Sequence, residues 1–150
     1  MIAELAQDLI TNLKTVTALN NRVGLAVGGR TIDPLMEKVI KPACWVIYMG
    51  DETINETDEG QCVLYTRMNF VVKVLVDYAS ELDLITNQYP ILENIISAVN
   101  ATTGPIGSKK WKYEGQSVDE IASNRLVFDQ RYSIVTTICL LYTSPSPRDA

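Results

Sequence analysis

Apolar residues near the start of the chain recur at intervals of three and four, which is the spacing of one helical face. Ile2, Leu5, Leu9 and Leu13 belong to this series, and polar residues fill the positions between them. Such a pattern predicts an amphipathic helix with one buried stripe that ends near residue 20. A short alternating run at 23–27, stopped by two glycines, predicts a strand.

The longest pattern in the chain is an alternation of apolar and polar residues with a period of two, and it covers residues 62–78. Even positions read Cys, Leu, Thr, Met, Phe, Val, Val, Val and Tyr, whereas odd positions include Arg67 and Lys73. Seventeen residues at about 3.3 Å each would make a strand longer than about 50 Å, which exceeds the width of a small domain. The strand must therefore bend at a bulge or project as one arm of a hairpin, and we favour the projecting hairpin.

The remaining elements follow from similar patterns. The apolar run 43–49 predicts an interior strand. Ser80 can cap a helix at about 81–88, and Pro90 must kink or restart that helix, so a second segment is expected at 90–100. One apolar face is expected along both segments, comprising Leu82, Ile85, Tyr89, Leu92, Ile95, Ile96 and Val99. Residues 109–117 and 124–138 predict the last two strands.

The resulting order is helix, three strands, helix, two strands. Few connections are long enough for parallel crossovers, so we expect an α+β fold in which a mostly antiparallel sheet of about five strands packs against two helices. No internal repeat or domain boundary is visible.

Composition narrows the possible functions. The chain has 47% hydrophobic and 21% charged residues with a net charge of -5, which is ordinary for a globular domain and unfavourable for general nucleic-acid binding. There is no histidine, which excludes Ser-His-Asp and Cys-His nucleophiles and His-ligated zinc. No apolar run approaches the roughly 20 residues of a membrane helix. We therefore expect a non-enzymatic protein without a cofactor, assembled in a cytoplasm.

An acidic segment follows the 43–49 run and contains no basic residue. Its sixth position is not glycine and its twelfth is not glutamate, so it fails as a calcium loop. Two interpretations remain in view: a solvated hairpin tip, or a surface that contacts another subunit. A metal site is a third alternative. The carboxylates concerned are Asp51, Glu52, Glu56, Asp58 and Glu59.

The segment KKWKYEG interleaves three lysines with two aromatic residues. Lys109, Lys110 and Lys112 could contact phosphates while Trp111 and Tyr113 stack on bases. The same pattern is typical of an edge strand whose lysines discourage aggregation while its aromatic side chains pack inward. We favour the edge strand.

The chain ends in CLLYTSPSPRDA, which carries no hydrophobic period. Eleven consecutive residues, 139–149, match the translation of a common sequencing adapter. We therefore expect one native domain at 1–138, a non-native tail at 139–150, and a different natural continuation beyond Ile138. Of the three cysteines, Cys44 and Cys62 are then native, and each lies in an apolar run typical of a buried thiol.

The arrangement of these elements resembles the tail terminator, or tail-completion, proteins of tailed bacteriophages. The resemblance rests on the N-terminal amphipathic helix, KPACWVIYMGDE, the long strand CVLYTRMNFVVKVLVDY, a helix pair and a closing RLVFDQRYSIVTT strand. It covers nearly all of 1–138 but includes no signature residue.

The resemblance implies a virion structural protein that forms a ring, typically a hexamer, on the last ring of the tail tube. Its implied partners are other copies of itself, the tail-tube protein and the head-tail connector, and DNA would only pass through the lumen. No catalytic residue is implied. Candidate interface residues are the five carboxylates named above together with Arg67, Lys73, Lys109, Lys110 and Lys112.

Three alternatives stay open. A head-tail connector (neck) or minor tail protein has a similar topology. A small cytoplasmic adaptor would be a monomer or dimer. A metal-dependent nuclease would use the carboxylates between residues 51 and 59.

Overall fold

A computed structural model describes residues 2–25, 42–55, 63–105, 108–122 and 124–139 of the chain. In chain order the elements are α1 (Ile2–Lys14), a 3₁₀ turn (Thr17–Leu19), β1 (Val23–Leu25), β2 (Ala43–Asn55), β3 (Val63–Asp77), an α-helical turn (Glu81–Asp83), a π-helical turn (Leu84–Gln88), α2 (Tyr89–Val99), β4 (Lys112–Ala122) and β5 (Arg125–Cys139).

The strands form a five-stranded sheet in the order β1-β2-β3-β5-β4. Only the β1–β2 pair is parallel, and the other three pairs are antiparallel. α1 and α2 contribute to the same apolar core and cover one side of the sheet, which we call the helix face. The predicted α+β fold with a mostly antiparallel sheet is confirmed.

Alternation along β3 separates the two sides of the sheet as predicted. Side chains at even positions from Thr66 to Val76 are buried on the helix face. Odd positions such as Arg67 and Lys73 lie on the opposite side, which we call the far face. The far face also has a small apolar cluster of its own, formed by Leu75 and Val127 with Trp45 and Ile47 packed against them.

The long hairpin is present, because β2 and β3 pair from Ala43↔Leu75 to Asn55↔Tyr65. β2 extends well beyond the run 43–49, so Asp51 and Glu52 lie on this strand and not in a hairpin tip. β5 also pairs with β3 along its whole length, so the extended end of the sheet has three strands and not two. The bulges occur in β2, between Tyr48 and Gly50 and between Thr53 and Asn55, whereas β3 and β5 stay in register.

Two buried polar contacts connect the helices and loops to the core. Trp111 is buried, and its indole N–H donates to a carboxylate oxygen of Asp8 on α1 at 2.7 Å. Gln130 on β5 is fully buried, and its amide donates to the Leu92 carbonyl at 3.2 Å and accepts from the Tyr132 hydroxyl at 2.8 Å. Because each donor has a partner, these polar groups can be buried without a large desolvation cost.

The helical region after β3 begins with the predicted cap. The Ser80 hydroxyl accepts from the Asp83 N–H at 3.1 Å, and the Asp83 carboxylate accepts from the Ala79 N–H at 2.8 Å. Hydrogen bonds from Asn87 and then Ala79 lower the pKa of Asp83. Pro90 lies in the first turn of α2, where its missing N–H is not needed.

The predicted apolar face of this region is only partly correct. Leu92, Ile95 and Val99 are buried, but Leu82 and Ile85 are 73% and 63% exposed. The π turn at Leu84–Gln88 contains one more residue than an α turn, so it rotates the preceding residues around the helix axis. Leu84 packs on the core in their place.

The boundaries of β4 also differ from the prediction of 109–117. β4 begins at Lys112 and continues to Ala122, whereas Lys109 and Lys110 precede it in a segment that pairs with Thr103 on one side and contacts β5 through the Ser108↔Thr136 bridge. β4 is the last strand of the sheet, with Trp111 buried and Tyr113 packed against the core. The edge-strand interpretation is therefore confirmed for Lys112 and Tyr113, and the aromatic side chains pack inward as predicted, whereas Lys109 and Lys110 lie before the strand.

Truncation of two neighbouring leucines tests the rotation imposed by the π turn. We expect Leu84→Ala to lower the free energy of unfolding by about 1–2 kcal/mol, because part of a packed side chain is lost. Leu82→Ala removes an exposed side chain and should change it by less than about 0.5 kcal/mol. Urea denaturation of both variants measures the difference, and equal losses would contradict this placement.

The buried thiol of Cys44 gives a second measurable expectation. Burial raises its pKa from 9.0 to about 12, so almost no thiolate exists at pH 8. In a variant with Cys62 and Cys139 changed to serine, we expect Cys44 to react with a thiol reagent only as fast as the protein unfolds. Rapid labelling of the native protein at pH 8 would contradict the burial of this residue.

Candidate functional site

The far face of the sheet carries most of the candidate interface residues that the structure describes. Odd positions of β3 and β5 point to this side, and the registers of β2 and β4 bring further charged residues beside them. Within the described ranges, neither helix packs on this face. It therefore presents rows of charged side chains across four strands.

The start of the acidic segment lies on β2, with its two carboxylates on opposite sides of the sheet. Glu52 is opposite Arg67 on β3, and their carboxylate and guanidinium are 3.2 Å apart in an exposed ion pair on the far face. Asp51 is opposite Met68 and lies beside the Tyr48 phenol. The pKa of Tyr48 is raised, first by burial and then by the Asp51 carboxylate.

A depression of about 540 Å³ crosses the far face near the extended end of the sheet. Three of the predicted residues, Glu52, Arg67 and Lys112, line it from different strands. Its other charged or amide-bearing lining residues are Asn69, Glu114 and Arg131. Sequence reasoning named the first three without placing them together. The depression contains three cationic groups, partly matched by nearby carboxylates.

Lys73 is placed differently from the other predicted residues. Its ammonium donates to Asp119 of β4 at 2.7 Å and to Asp129 of β5 at 2.9 Å, and its side chain is only 12% exposed. Burial alone would lower its pKa, but these two carboxylates outweigh burial and raise it. The charge of Lys73 is thus already matched inside the chain.

The bulge in β4 shapes the middle of the far face. Gly115 has a φ of +118°, and a Cβ there would meet an Arg131 guanidinium nitrogen at 2.9 Å. Arg131 also donates to the Ser117 hydroxyl at 3.1 Å, and the Ser133 hydroxyl donates to Glu114 at 2.6 Å. Glycine is favoured here by the positive φ, whereas the mobile end of the arginine side chain could shift to make room for a Cβ.

The lysine segment before and at the start of β4 is exposed. Lys109 and Lys110 make no side-chain ion pair within the described part of the chain, whereas the Lys112 ammonium is 4.0 Å from Glu114. Glu56, Asp58 and Glu59 of the predicted tip lie outside the described residues.

The residues that sequence reasoning missed are the far-face partners Glu114, Asp119, Asp129, Arg131 and Ser133. Three of them, Asp129, Arg131 and Ser133, occupy odd positions of β5, and alternation alone could have assigned them to the side of Lys73. Their pairing with β3 and β4 depends on register, which alternation does not give.

Among the described residues there is no group of three or more histidine, cysteine, aspartate or glutamate side chains suited to hold a metal ion. No helix in the described ranges has both the length and the apolar character needed to cross a membrane. The charged side chains of the far face are arranged mainly as ion pairs between neighbouring strands.

Comparison with known proteins gives a match at the level of structure. No family model matches the chain, and no curated protein matches it. Among solved structures, the fold is similar to a chain in the "Virion of native gene transfer agent (GTA) particle", with a TM-score of 0.61 and 12% sequence identity. The match covers 91% of this chain and 97% of that chain, so the two share one fold over nearly their whole lengths.

Removal of the Lys73 ammonium tests the ion cluster on the far face. In Lys73→Met, two carboxylates remain close together without a cation, so we expect the free energy of unfolding at pH 7 to fall by about 1–3 kcal/mol. Lys112→Met is the matched control for an exposed lysine and should lower the free energy of unfolding by less than about 0.5 kcal/mol.

The pH dependence of the stability that this ion cluster contributes follows from the direction in which the pKa of Lys73 is shifted. Because the pKa of Lys73 is raised, its contribution is fully present below pH 10.5 and is lost as pH rises through the higher folded value. In Lys73→Met the loss of unfolding free energy should therefore be constant between pH 7 and pH 10 and should become smaller as pH rises above 10.5. Chemical denaturation of both proteins at pH 7, at pH 10 and at about pH 11.5 measures this, and a difference that is unchanged at the highest pH would contradict the electrostatic explanation.

Proposed function

We propose that this chain is a structural component of a phage-like virion and that it acts there as a tail terminator. In this role a ring of subunits closes the tail tube, stops its polymerisation and joins it to the head connector. The single observation that carries the proposal is the fold shared over nearly full length with a chain of a gene transfer agent virion. The order of elements that resembles the tail-completion family supports the finer role.

The surface of the described residues is compatible with a ring. A ring requires two different patches on each subunit that meet head to tail and close after a fixed rotation. The described surface has several separate regions that could supply such patches, including the extended three-stranded end of the sheet. A net charge of -5 also suits a subunit that surrounds DNA without holding its phosphates.

The extended end of β2 is the part we propose for contact with a neighbouring subunit or the connector. Asp51 and Glu52 are both exposed there, and the acidic sequence continues beyond Asn55. Charge at such a contact mainly decides which partner fits and how fast it associates. Arg67 and Lys112 line the same depression as Glu52 and belong to the proposed contact.

A head-tail connector or minor tail protein is the second candidate, since the shared fold does not separate these roles. Genes next to this one discriminate between them, because a tail-tube or sheath gene immediately downstream favours the terminator. An adaptor would be a monomer or dimer by light scattering in all conditions. A nuclease would degrade DNA with Mg²⁺ or Mn²⁺, and loss of that activity in Glu56→Ala would overturn our proposal.

Tube assembly in vitro tests the terminator role. Purified protein added at a few molecules per tube to polymerising tail-tube protein should shorten the tubes, because capped ends stop growing. Electron microscopy of tube lengths, with ring-shaped density at one end, measures this. An Asp51→Lys/Glu52→Lys variant should still bind tube ends but lose binding of the connector by at least tenfold.

The control is Lys14→Glu, which reverses an exposed charge on α1 and should behave like the wild type. Tubes of unchanged length without density at their ends would contradict the terminator role. Binding to the connector but not to the tube would favour the neck protein.

A further inference from the structure

Half of the ten exposed large apolar side chains among the described residues lie in one region of the helix face. We call this region the apolar patch, and it consists of Leu82, Ile85, Tyr89, Val118 and Ile121. Their individual exposures range from 42% for Tyr89 to 75% for Ile121. Isolated exposed apolar residues are normal, but a contiguous group of this kind marks an interaction surface.

Contacts with Phe128 and Leu126 of β5 connect the part of the patch on α2 with the part on β4. Phe128 on β5 contacts Tyr89 edge to face, with ring centroids 6.4 Å apart, and it is also the cross-strand partner of Val118. Ile121 pairs with Leu126, two residues before Phe128 on the same face of β5. Ile85 and Leu82 extend the patch back along the helical region from Tyr89, because the π turn exposes them.

The surroundings of the patch are acidic. From Val74 to Ser108 the chain has no lysine or arginine, and its charged residues there are Asp77, Glu81, Asp83 and Glu93. Glu81 is next to Leu82, and Glu93 is four residues after Tyr89 on α2, so both exposed carboxylates border the patch. A partner must therefore combine apolar contact area with positive charge.

This chain has such a surface at the other end of the same elements. Lys109 and Lys110 are exposed just before β4 and make no ion pair with a described residue. Lysine carries a long apolar stem below its ammonium, so it can cover apolar side chains while its charge reaches a carboxylate at their edge. The stems of the two lysines thus match the apolar patch, and their ammonium groups match its acidic border.

The two surfaces are far apart on one subunit and cannot meet within it. Between Leu82 and Val99 the helical region spans roughly 25 Å at 1.5 Å per residue. β4 spans roughly 30 Å from Lys112 to Ile121 at 3.3 Å per residue. Asn100 at the end of α2 accepts from the Tyr113 N–H at 3.0 Å, which places the lysines near the helix C-terminus and the patch near its beginning.

We infer that the apolar patch of one copy binds the Lys109–Lys110 segment of a second copy in a head-to-tail contact. This inference rests on the proposed ring, and it identifies which two surfaces of the subunit meet. β4 carries bulges at Glu114 and Asp119, which interrupt its outer edge. The contact therefore forms between side chains and not by joining the sheets edge to edge.

Charge exchange between the two surfaces tests the inference. Lys109→Glu/Lys110→Glu should raise the concentration needed for ring assembly at least tenfold, and Glu81→Lys/Glu93→Lys should do the same. Both changes on one chain restore opposite charges, so this quadruple variant should assemble within about threefold of the wild type. Light scattering after gel filtration measures free rings, and electron microscopy measures rings on tube ends if the wild type closes only there.

Two further variants separate this contact from changes in folding. Ile121→Ser removes apolar area from the patch and should also weaken assembly, while circular dichroism and the melting temperature stay close to the wild type. Lys14→Glu reverses an exposed lysine on α1 outside both surfaces and should leave assembly unchanged.

Three other outcomes would contradict the inference, and they show whether the proposed ring is also wrong. If the wild type forms rings and both double variants form them equally well, the inference is wrong and the proposed ring stands. If both double variants fail and the quadruple variant also fails, the two surfaces do not face each other and the inference is wrong. If the wild type stays monomeric in solution and on tube ends, both the inference and the proposed ring are wrong.

Discussion

β3 and β5 pair over fifteen consecutive residues, from Val63↔Cys139 to Asp77↔Arg125, without a shift in register. Because alternation has a period of two, this uninterrupted pairing assigns every side chain of both strands to one face. Val72 and Val74 are thereby buried under the helices, while Lys73 lies beside Asp129 on the far face. The core and the charged surface are two consequences of the same ladder of hydrogen bonds.

The register shifts of the sheet occur in β2 and β4, which flank the regular pair of β3 and β5. β2 and β4 each carry two register shifts, and Gly50 and Gly115 take the positive φ that the bulges require. In β4 one of these shifts occurs at Asp119, whose carboxylate reaches across β5 to Lys73. The bulges thus place a far-face ion cluster and also interrupt the outer edge of the sheet, which favours association through faces.

Charges on the surface divide into matched and unmatched groups. On the far face, Lys73, Arg67 and Lys112 all have carboxylates within 4.0 Å. At the two ends of α2, by contrast, Glu81 and Glu93 on one side and Lys109 and Lys110 on the other make no ion pair within the described part of the chain. Matched pairs on an exposed surface contribute little net stability, whereas separated charges of opposite sign favour association between copies.

The sequence by itself determined the elements and their buried sides. Alternation at 62–78 and helical spacing at 2–13 depend only on local geometry, so β3 and α1 could be predicted with most of their core residues, although Ile2 of the predicted buried stripe is 42% exposed. The capping interaction of Ser80 with Asp83 is equally local and was also predictable. The fold class followed from the order of these elements.

Only the tertiary structure decided which residues meet. The π turn that exposes Leu82 and Ile85 cannot be predicted from the spacing of apolar residues, because this turn depends on how α2 packs against the sheet. The partners of Lys73 are 46 and 56 residues away, and strand register sets those contacts. Period and propensity are properties of neighbouring residues, whereas register and helix rotation are fixed by packing between distant parts of the chain.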